Sequence, residues 1–208
     1  MDYKKFILFI TPWILIALIM NLVRFALTDV HSYVYMNWNL LLAFIALFFL
    51  FLFEKSVLLI EKIVFFTFWI FFFPNAVYMI TDFIHLRNVG PDWLLWYDAM
   101  MIFAYASIGV FISSYSLIRM HKKLFILRSS AFIFSLFVAL ISSFGVYLGR
   151  YHRFNSWDIV SQPSQIVKSI LEIFSTQSGH PVFITTIIFF TLFILLSTES
   201  LRKIFEQR

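Results

Sequence analysis

The sequence predicts an all-α protein, a polytopic transmembrane helical bundle of about six spans with both termini cytoplasmic. Three observations carry that expectation. Hydrophobic residues fill 62% of the 208 positions and charged residues only 13%, about half the charged share of an ordinary soluble domain. Apolar runs long enough to cross a bilayer as helices, roughly 17 to 25 residues, recur along nearly the whole chain. Basic residues gather on alternate connections, as the positive-inside rule requires of a multi-pass protein.

The first span covers residues 6–27. It contains Pro12, an expected kink, and places Arg24 one turn inside its outer end. No small-residue cleavage pattern follows the apolar run, so it reads as a retained span and not as a signal peptide. The second span, 38–53, is short. The third, 63–81, holds Pro74 and a second expected kink. The fourth, 97–118, carries Gly109 and Ser113; the fifth, 129–149, carries Ser135, Ala139 and Ser143, then Gly145 and Gly149. Spacing by four sets each group on one helix face, where small side chains let backbones approach closely. We read these faces as packing inside one bundle, in preference to dimerisation; the sequence does not define the oligomeric state.

The long connection, 150–180, is expected outside the cytoplasm. Pro163 can open a helix there, and Ile166, Val167, Ile170, Leu171, Ile173 and Phe174 recur at helical spacing opposite Gln165, Lys168 and Ser169. Such a helix lies on the outer membrane surface as an anchor or closes over the bundle as a lid. The sixth span is 181–198. With no internal repeat and no low-complexity linker, residues 1–208 are expected to form a single integral membrane domain. The Pro-Asn break at 74 and 75 has no counterpart in span six, which argues against an inverted-repeat transporter.

With the N-terminus inside, eleven of the sixteen Lys and Arg fall on the cytoplasmic side: Lys4, Lys5, Lys55, Lys62, Arg119, Lys122, Lys123, Arg128, Arg202, Lys203 and Arg208. Arg87, Arg150, Arg153 and Lys168 fall outside, and Trp38, Trp93, Trp96 and Trp157 come near the outer interface, where amphipathic rings concentrate. The net charge of +5 therefore reports topology and not nucleic-acid binding. The expected location is the cell membrane, with the lipid bilayer as partner. The absence of Cys excludes disulfides, thiolate nucleophiles and sulfur-ligated metals.

The same topology sorts the polar chemistry onto one face. Asp29, His31, Asp82, His85, Asp92, Asp98, His152, Asp158 and His180 all come to outer ends or outer loops, and only His121 among the five His is cytoplasmic. In "FFFPNAVYMITDFIH", residues 71–85, a helix continuing past Pro74 would align Asn75, Tyr78, Asp82 and His85 on one face. Asn75 either belongs to that stripe or caps backbone groups freed by Pro74. Asp98 can serve the N-terminal dipole of span four or, like Asp82, partner the buried Arg24; an Arg24–Asp98 pair would be structural. Arg150 and Arg153 can clamp a phosphate or carboxylate. They can equally satisfy Asp82, Asp98 or Asp158, or snorkel to headgroups.

No GxSxG elbow, HExxH, Walker loop or EF-hand occurs. No span contains a Lys, which sets aside a buried Schiff base. What remains is weaker: Asp82 with His85, and His152 with Asp158. Either pair suits a His base oriented by a carboxylate, or part of a divalent-metal site, the metal not being required.

"PNAVYMITDFIHL" at 74–86, "LWYDAM" at 95–100 and "RFNSWD" at 153–158 together resemble the bacterial membrane-protein family catalogued as domain of unknown function 1361. The resemblance covers nearly the full chain. It implies a six-helix integral membrane protein and singles out Pro74, Asn75, Tyr78, Asp82, His85, Tyr97, Asp98, Arg153, Asn155, Trp157 and Asp158, without assigning them roles.

The leading expectation is an outer-leaflet hydrolase or transferase acting on a lipid or lipid-linked substrate. Asp82, His85, His152 and Asp158 are its catalytic candidates; Asn75, Tyr78, Arg150, Arg153 and Asn155 would bind substrate. The alternative is a non-enzymatic scaffold or partner protein whose polar network is structural. A small-solute transporter, the third reading, needs a polar path to both faces, and the inner halves of these spans offer few residues for one.

Overall fold

The computed structural model describes residues 1–28, 33–88, 92–124, 130–175 and 180–206. Among them the chain forms α1 (Tyr3–Thr28), α2 (Tyr35–Lys55), α3 (Leu59–Tyr78), a 3-10 helix (Met79–Asn88), α4 (Asp92–Leu124), α5 (Ser130–Tyr151), α6 (Asp158–Ser161), α7 (Pro163–Ser175) and α8 (His180–Glu206). No strand occurs among the described residues. Six helical segments are long and apolar enough to cross a membrane, residues 3–27, 35–55, 59–86, 93–124, 130–151 and 181–206. Each corresponds to one span expected from hydropathy.

The helices outrun the apolar runs at most ends. Hydropathy falls where Trp, Asn, Asp or Lys appears, whereas helical hydrogen bonding continues through those residues into the interface. Thus α2 has 21 residues instead of the expected sixteen, and α4 has 33. At 1.5 Å per residue α4 is about 50 Å long, so both its ends stand beyond a hydrocarbon layer of ~30 Å.

α4 is the axis of the bundle. Its most apolar stretch is 78% buried against 22% for α1, and it packs on α1, α2, α3, α5, α8 and the 3-10 helix. The outer helices turn Leu, Ile and Phe outward, including Leu8, Leu15, Ile19 and Leu22 of α1. This is the inverse of a soluble bundle and the arrangement a lipid solvent demands. Both expected proline sites lie within continuous α-helix, Pro12 in α1 and Pro74 in α3.

The small residues do bring backbones together within the bundle. A Cβ on Gly109 of α4 would lie 2.0 Å from the Ala76 carbonyl oxygen of α3 and 2.8 Å from Met79 Cε. On α5, Gly145 would meet the Pro74 ring at 2.9 Å and Gly149 the Tyr78 ring at 3.1 Å. These three contacts set α3 against α4 and α5 just where α3 tightens into the 3-10 helix. Gly109→Ala should therefore be the most destabilising of the three alanine variants, by about 3 kcal/mol or more because backbone must move. Gly145→Ala should follow and Gly149→Ala should be mildest. Thermal unfolding of the three variants in detergent checks that order.

Candidate functional site

The end of the bundle away from the termini holds two buried ion pairs with different surroundings. Arg24 of α1 is 7% exposed and Asp98 of α4 fully buried. Arg24 Nε donates to Asp98 Oδ1 at 2.5 Å and Nη2 to Oδ2 at 3.1 Å. This bidentate fork joins α1 to the central helix. Tyr97 Oη donates to the Met20 carbonyl nearby, at 2.7 Å. Of the two partners open to Arg24, Asp98 is the one it meets.

Asp82 has a different partner. It sits in the 3-10 helix, 1% exposed, and accepts from Arg150 Nη2 of α5 at 2.8 Å and from Asn39 Nδ2 of α2 at 3.3 Å. Arg150 Nη2 also donates to Thr81 Oγ1, and the guanidinium lies 4.9 Å from the centre of the Tyr78 ring. In a 3-10 helix residues three apart eclipse one another, so His85 stands directly beyond Asp82. Its Nε2 is 4.0 Å from Asp82 Oδ1 and accepts from Arg150 Nη1 at 3.4 Å. The arginine therefore takes the place a hydrogen-bonded Asp–His dyad would need.

Asn75 lines the cavity with the rest of the stripe and also bonds the backbone of its own helix, though not the Ile70 carbonyl that Pro74 leaves without a donor. Its Nδ2 donates to the Phe72 carbonyl at 3.0 Å, one turn back across the proline, and to Ser156 Oγ at 2.9 Å. Ser156 in turn donates to the Phe71 carbonyl at 3.1 Å. The "RFNSWD" segment is thereby fastened over the proline-containing stretch of α3. It leaves α5 through Arg153, whose φ of 58° is left-handed; the amides of His152 and Phe154 both donate to the Leu148 carbonyl, at 3.1 and 3.3 Å. A non-glycine residue in that conformation stores of order 1 kcal/mol.

These elements border a half-open cavity of about 840 Å³, lined by α2, α3, the 3-10 helix, α5 and the 153–170 segment. That size falls within the range of small-molecule sites. Its polar lining includes Tyr35, Asn39, Asn75, Tyr78, Asp82, His85, Arg150, Arg153, Asn155 and Ser156; its apolar lining includes Leu42, Ile70, Phe71, Ile141, Phe144, Leu148, Ile166 and Ile170. Ile166 and Ile170 come from α7, which leaves Val167 and Leu171 exposed.

Seven residues singled out from the sequence thus converge on one cavity. His152 and Asp158 do not line it. The His152 ring packs against Tyr147 and Phe154. Asp158 is 6% exposed and accepts from the Asn155 amide at 2.7 Å, Asn155 Nδ2 at 3.4 Å and Ser161 Oγ at 3.0 Å. Its carboxylate organises its own turn, and the expected His152–Asp158 pairing is not formed. Asp29 and His31, and the side chains of Asp92, Phe174 and His180, lie outside the described residues.

Tyr35, Asn39, Thr81 and Ser156 were not legible as site residues. An amide inside an apolar span is a signal for Asn39; no comparable signal marks the other three. Among the described residues no group of three or more His, Cys, Asp or Glu is placed to hold a metal. Near the cavity Asp82 is already engaged by Arg150 and Asn39, and only His85 adds a second donor type. Among the charged residues lining the cavity, Asp82 offsets Arg150, and Arg153 makes no ion pair with any described residue. Among the described residues the site therefore carries one uncompensated positive charge.

Fold and composition together define a multi-pass helical membrane protein with an amphipathic cavity at one end of the bundle. The family described as protein of unknown function (DUF1361) matches residues 38–196, and the chain belongs to it. The match begins in α2, ends in α8 and includes every residue named above as lining the cavity except Tyr35. No curated protein and no solved structure matches the chain.

A double-mutant cycle measures what the Asp82–Arg150 pair holds together. Asp82→Asn and Arg150→Gln should each cost roughly 3 to 5 kcal/mol, because each strands the other group in a buried site. The double variant should recover about 2 kcal/mol of the summed loss. Additive losses in thermal unfolding would show that the two groups do not depend on one another.

Proposed function

We propose that this protein is a cell-membrane enzyme, a hydrolase or transferase, that takes an anionic lipid or lipid-linked substrate into the cavity from the outer leaflet. The observation that carries the reading is the division of the cavity wall. One part is aliphatic and aromatic; the other gathers two guanidiniums, a carboxylate, an imidazole and several amide and hydroxyl groups. From Arg150 to Ile141 the wall runs nine residues along α5, about 14 Å, depth enough for part of an acyl chain. Arg153, free of any ion pair among the described residues, attracts the headgroup. Asn75, Tyr78 and Asn155 supply polar contacts.

His85 is the base in this scheme, its Nε2 exchanging the long 3.4 Å contact with Arg150 Nη1 for the substrate's proton. Its side chain is 43% exposed and lines the cavity, whereas Asp82 is enclosed by Arg150 and Asn39. Asp82 and Arg150 serve as positioning residues that hold His85 and the 3-10 helix in place. The orientation follows from charge. The end bearing Lys4, Lys5, Lys55, Arg119, Lys122, Lys123 and Lys203 faces the cytoplasm, and the cavity end faces outward with α7 at the interface.

A scaffold function is favoured by one specific observation: Asp82 with Arg150, and Asp158 with its own turn, are satisfied internally, as a structural network would be. Binding and turnover separate the two readings. Protein purified in mild detergent should retain phosphatidylglycerol in native mass spectrometry more strongly than phosphatidylethanolamine. Arg153→Ala should weaken that retention about ten-fold, the loss of one charge-assisted contact. Incubation with radiolabelled membrane lipid should release or transfer label with wild type and not with His85→Ala. Retention indifferent to headgroup charge and to Arg153, with no turnover, would support the scaffold instead.

A further inference from the structure

Two buried donors at the polar end of the cavity have no partner among the described residues. The Tyr35 hydroxyl oxygen and Arg150 Nε are both inaccessible, and neither forms a hydrogen bond with any described residue. Tyr35 and Arg150 both line the cavity. Among the described residues the other unpartnered buried side-chain polar atoms are hydroxyls elsewhere, on Tyr3, Ser114, Ser135, Ser142 and Thr198. Tyr35 opens α2, and its ring lies 5.2 Å from that of His85. The remaining nitrogens of Arg150 are spent on Thr81, Asp82 and His85.

A buried donor left unmade costs roughly 1 to 3 kcal/mol. Both groups can donate, and Arg150 Nε can do nothing else, so the species that satisfies them together must present hydrogen-bond acceptors, and a guanidinium donor bonds most strongly to anionic oxygen. With Asp82 offset by Arg150, the further charge of Arg153 favours a ligand of one negative charge. The lipid tail supplies little selectivity, because bilayer hydrocarbon is as apolar as the cavity wall. Discrimination must come from the polar end.

We propose that the Tyr35 hydroxyl and Arg150 Nε form an oxyanion-binding pocket, which receives a phosphoryl or carboxyl oxygen of the bound amphiphile's headgroup beside His85. This rests on the amphiphile reading and deepens it by naming the chemical group recognised and a residue, Tyr35, that recognises it. Tyr35 contacts the ligand once its hydroxyl and Arg150 Nε, both covered in this structure, turn into the cavity; it is a specificity-determining residue and transfers nothing itself.

Tyr35→Phe removes the hydroxyl and keeps the ring, and Tyr3→Phe makes the same change to an unpartnered hydroxyl at the opposite end of the bundle. Affinities of wild type and both variants are measured in detergent for phosphatidylglycerol, oleate, diacylglycerol and inorganic phosphate. Thermal unfolding is followed without ligand. Tyr35→Phe should weaken phosphatidylglycerol or oleate ten-fold or more, leave diacylglycerol unchanged, and leave ligand-free stability equal or higher. A merely structural hydroxyl would give the opposite sign on stability. Whichever of phosphatidylglycerol and oleate responds identifies the oxyanion as phosphoryl or carboxyl. If inorganic phosphate alone binds as tightly and with the same Tyr35 dependence, the pocket stands and the amphiphile reading falls. If phosphatidylglycerol or oleate binds but Tyr35→Phe shifts affinity no more than Tyr3→Phe, the pocket is wrong and the amphiphile reading stands. If wild type binds none of the four, both are overturned.

Discussion

Asp82, almost fully buried, and Arg150, whose side chain is 14% exposed, meet at 2.8 Å, and the cavity end of the molecule is organised around that contact. Three chain segments converge on it: α2 through Asn39, the 3-10 continuation of α3 through Thr81 and Asp82, and α5 through Arg150. Desolvating two charges costs several kcal/mol per ion, which their attraction repays only with good geometry and further hydrogen bonds. Here the further bonds are present, and the Tyr78 face lies against the guanidinium. The result is a rigid tie across three segments, below which they enclose open space.

The neighbouring Arg24–Asp98 pair shows what such a contact does when no cavity adjoins it. Both groups are buried and joined bidentately, and neither lines the cavity. That pair fastens peripheral α1 to the central helix. Arg150 differs in that its buried Nε–H has no partner among the described residues. A scaffold gains nothing from an unsatisfied buried Nε–H, whereas a binding site that fills it on occupancy does. That contrast, more than any list of polar residues, is what favours the proposed site over a brace at this end of the bundle.

The six spans were legible because a hydrocarbon solvent imposes length and apolarity directly on sequence. Their ends were less so, since hydropathy reports the apolar layer and helices continue past it, as in α2 and α4. The gathering of Asn75, Tyr78, Asp82 and His85 could be anticipated from spacing alone, even though the chain tightens to 3-10 winding after Tyr78. Among the partnerships, Arg24–Asp98 follows from the need of a buried Arg for a carboxylate at its own depth, whereas Asp82 was one of several acceptors open to Arg150. Nothing in spacing says that Arg150 would stand between Asp82 and His85, or that Asp158 would turn inward to its own loop and leave His152 packed against aromatic rings. Tyr35 and Ser156 escaped notice because their relevance arises from contacts across 50 and 81 residues of chain, with His85 and Asn75.

The central claim is that the space beneath the Asp82–Arg150 tie is a receptacle for an amphiphile, and it is tested most directly by a cryo-electron microscopy structure of the protein in nanodiscs of mixed anionic and zwitterionic lipid. The account predicts continuous density in the cavity, with a chain along Ile141, Phe144 and Leu148 and a headgroup between Tyr35, Arg150 and Arg153. Lipid density confined to the outer perimeter of the bundle, with the cavity closed by its own side chains, would contradict it.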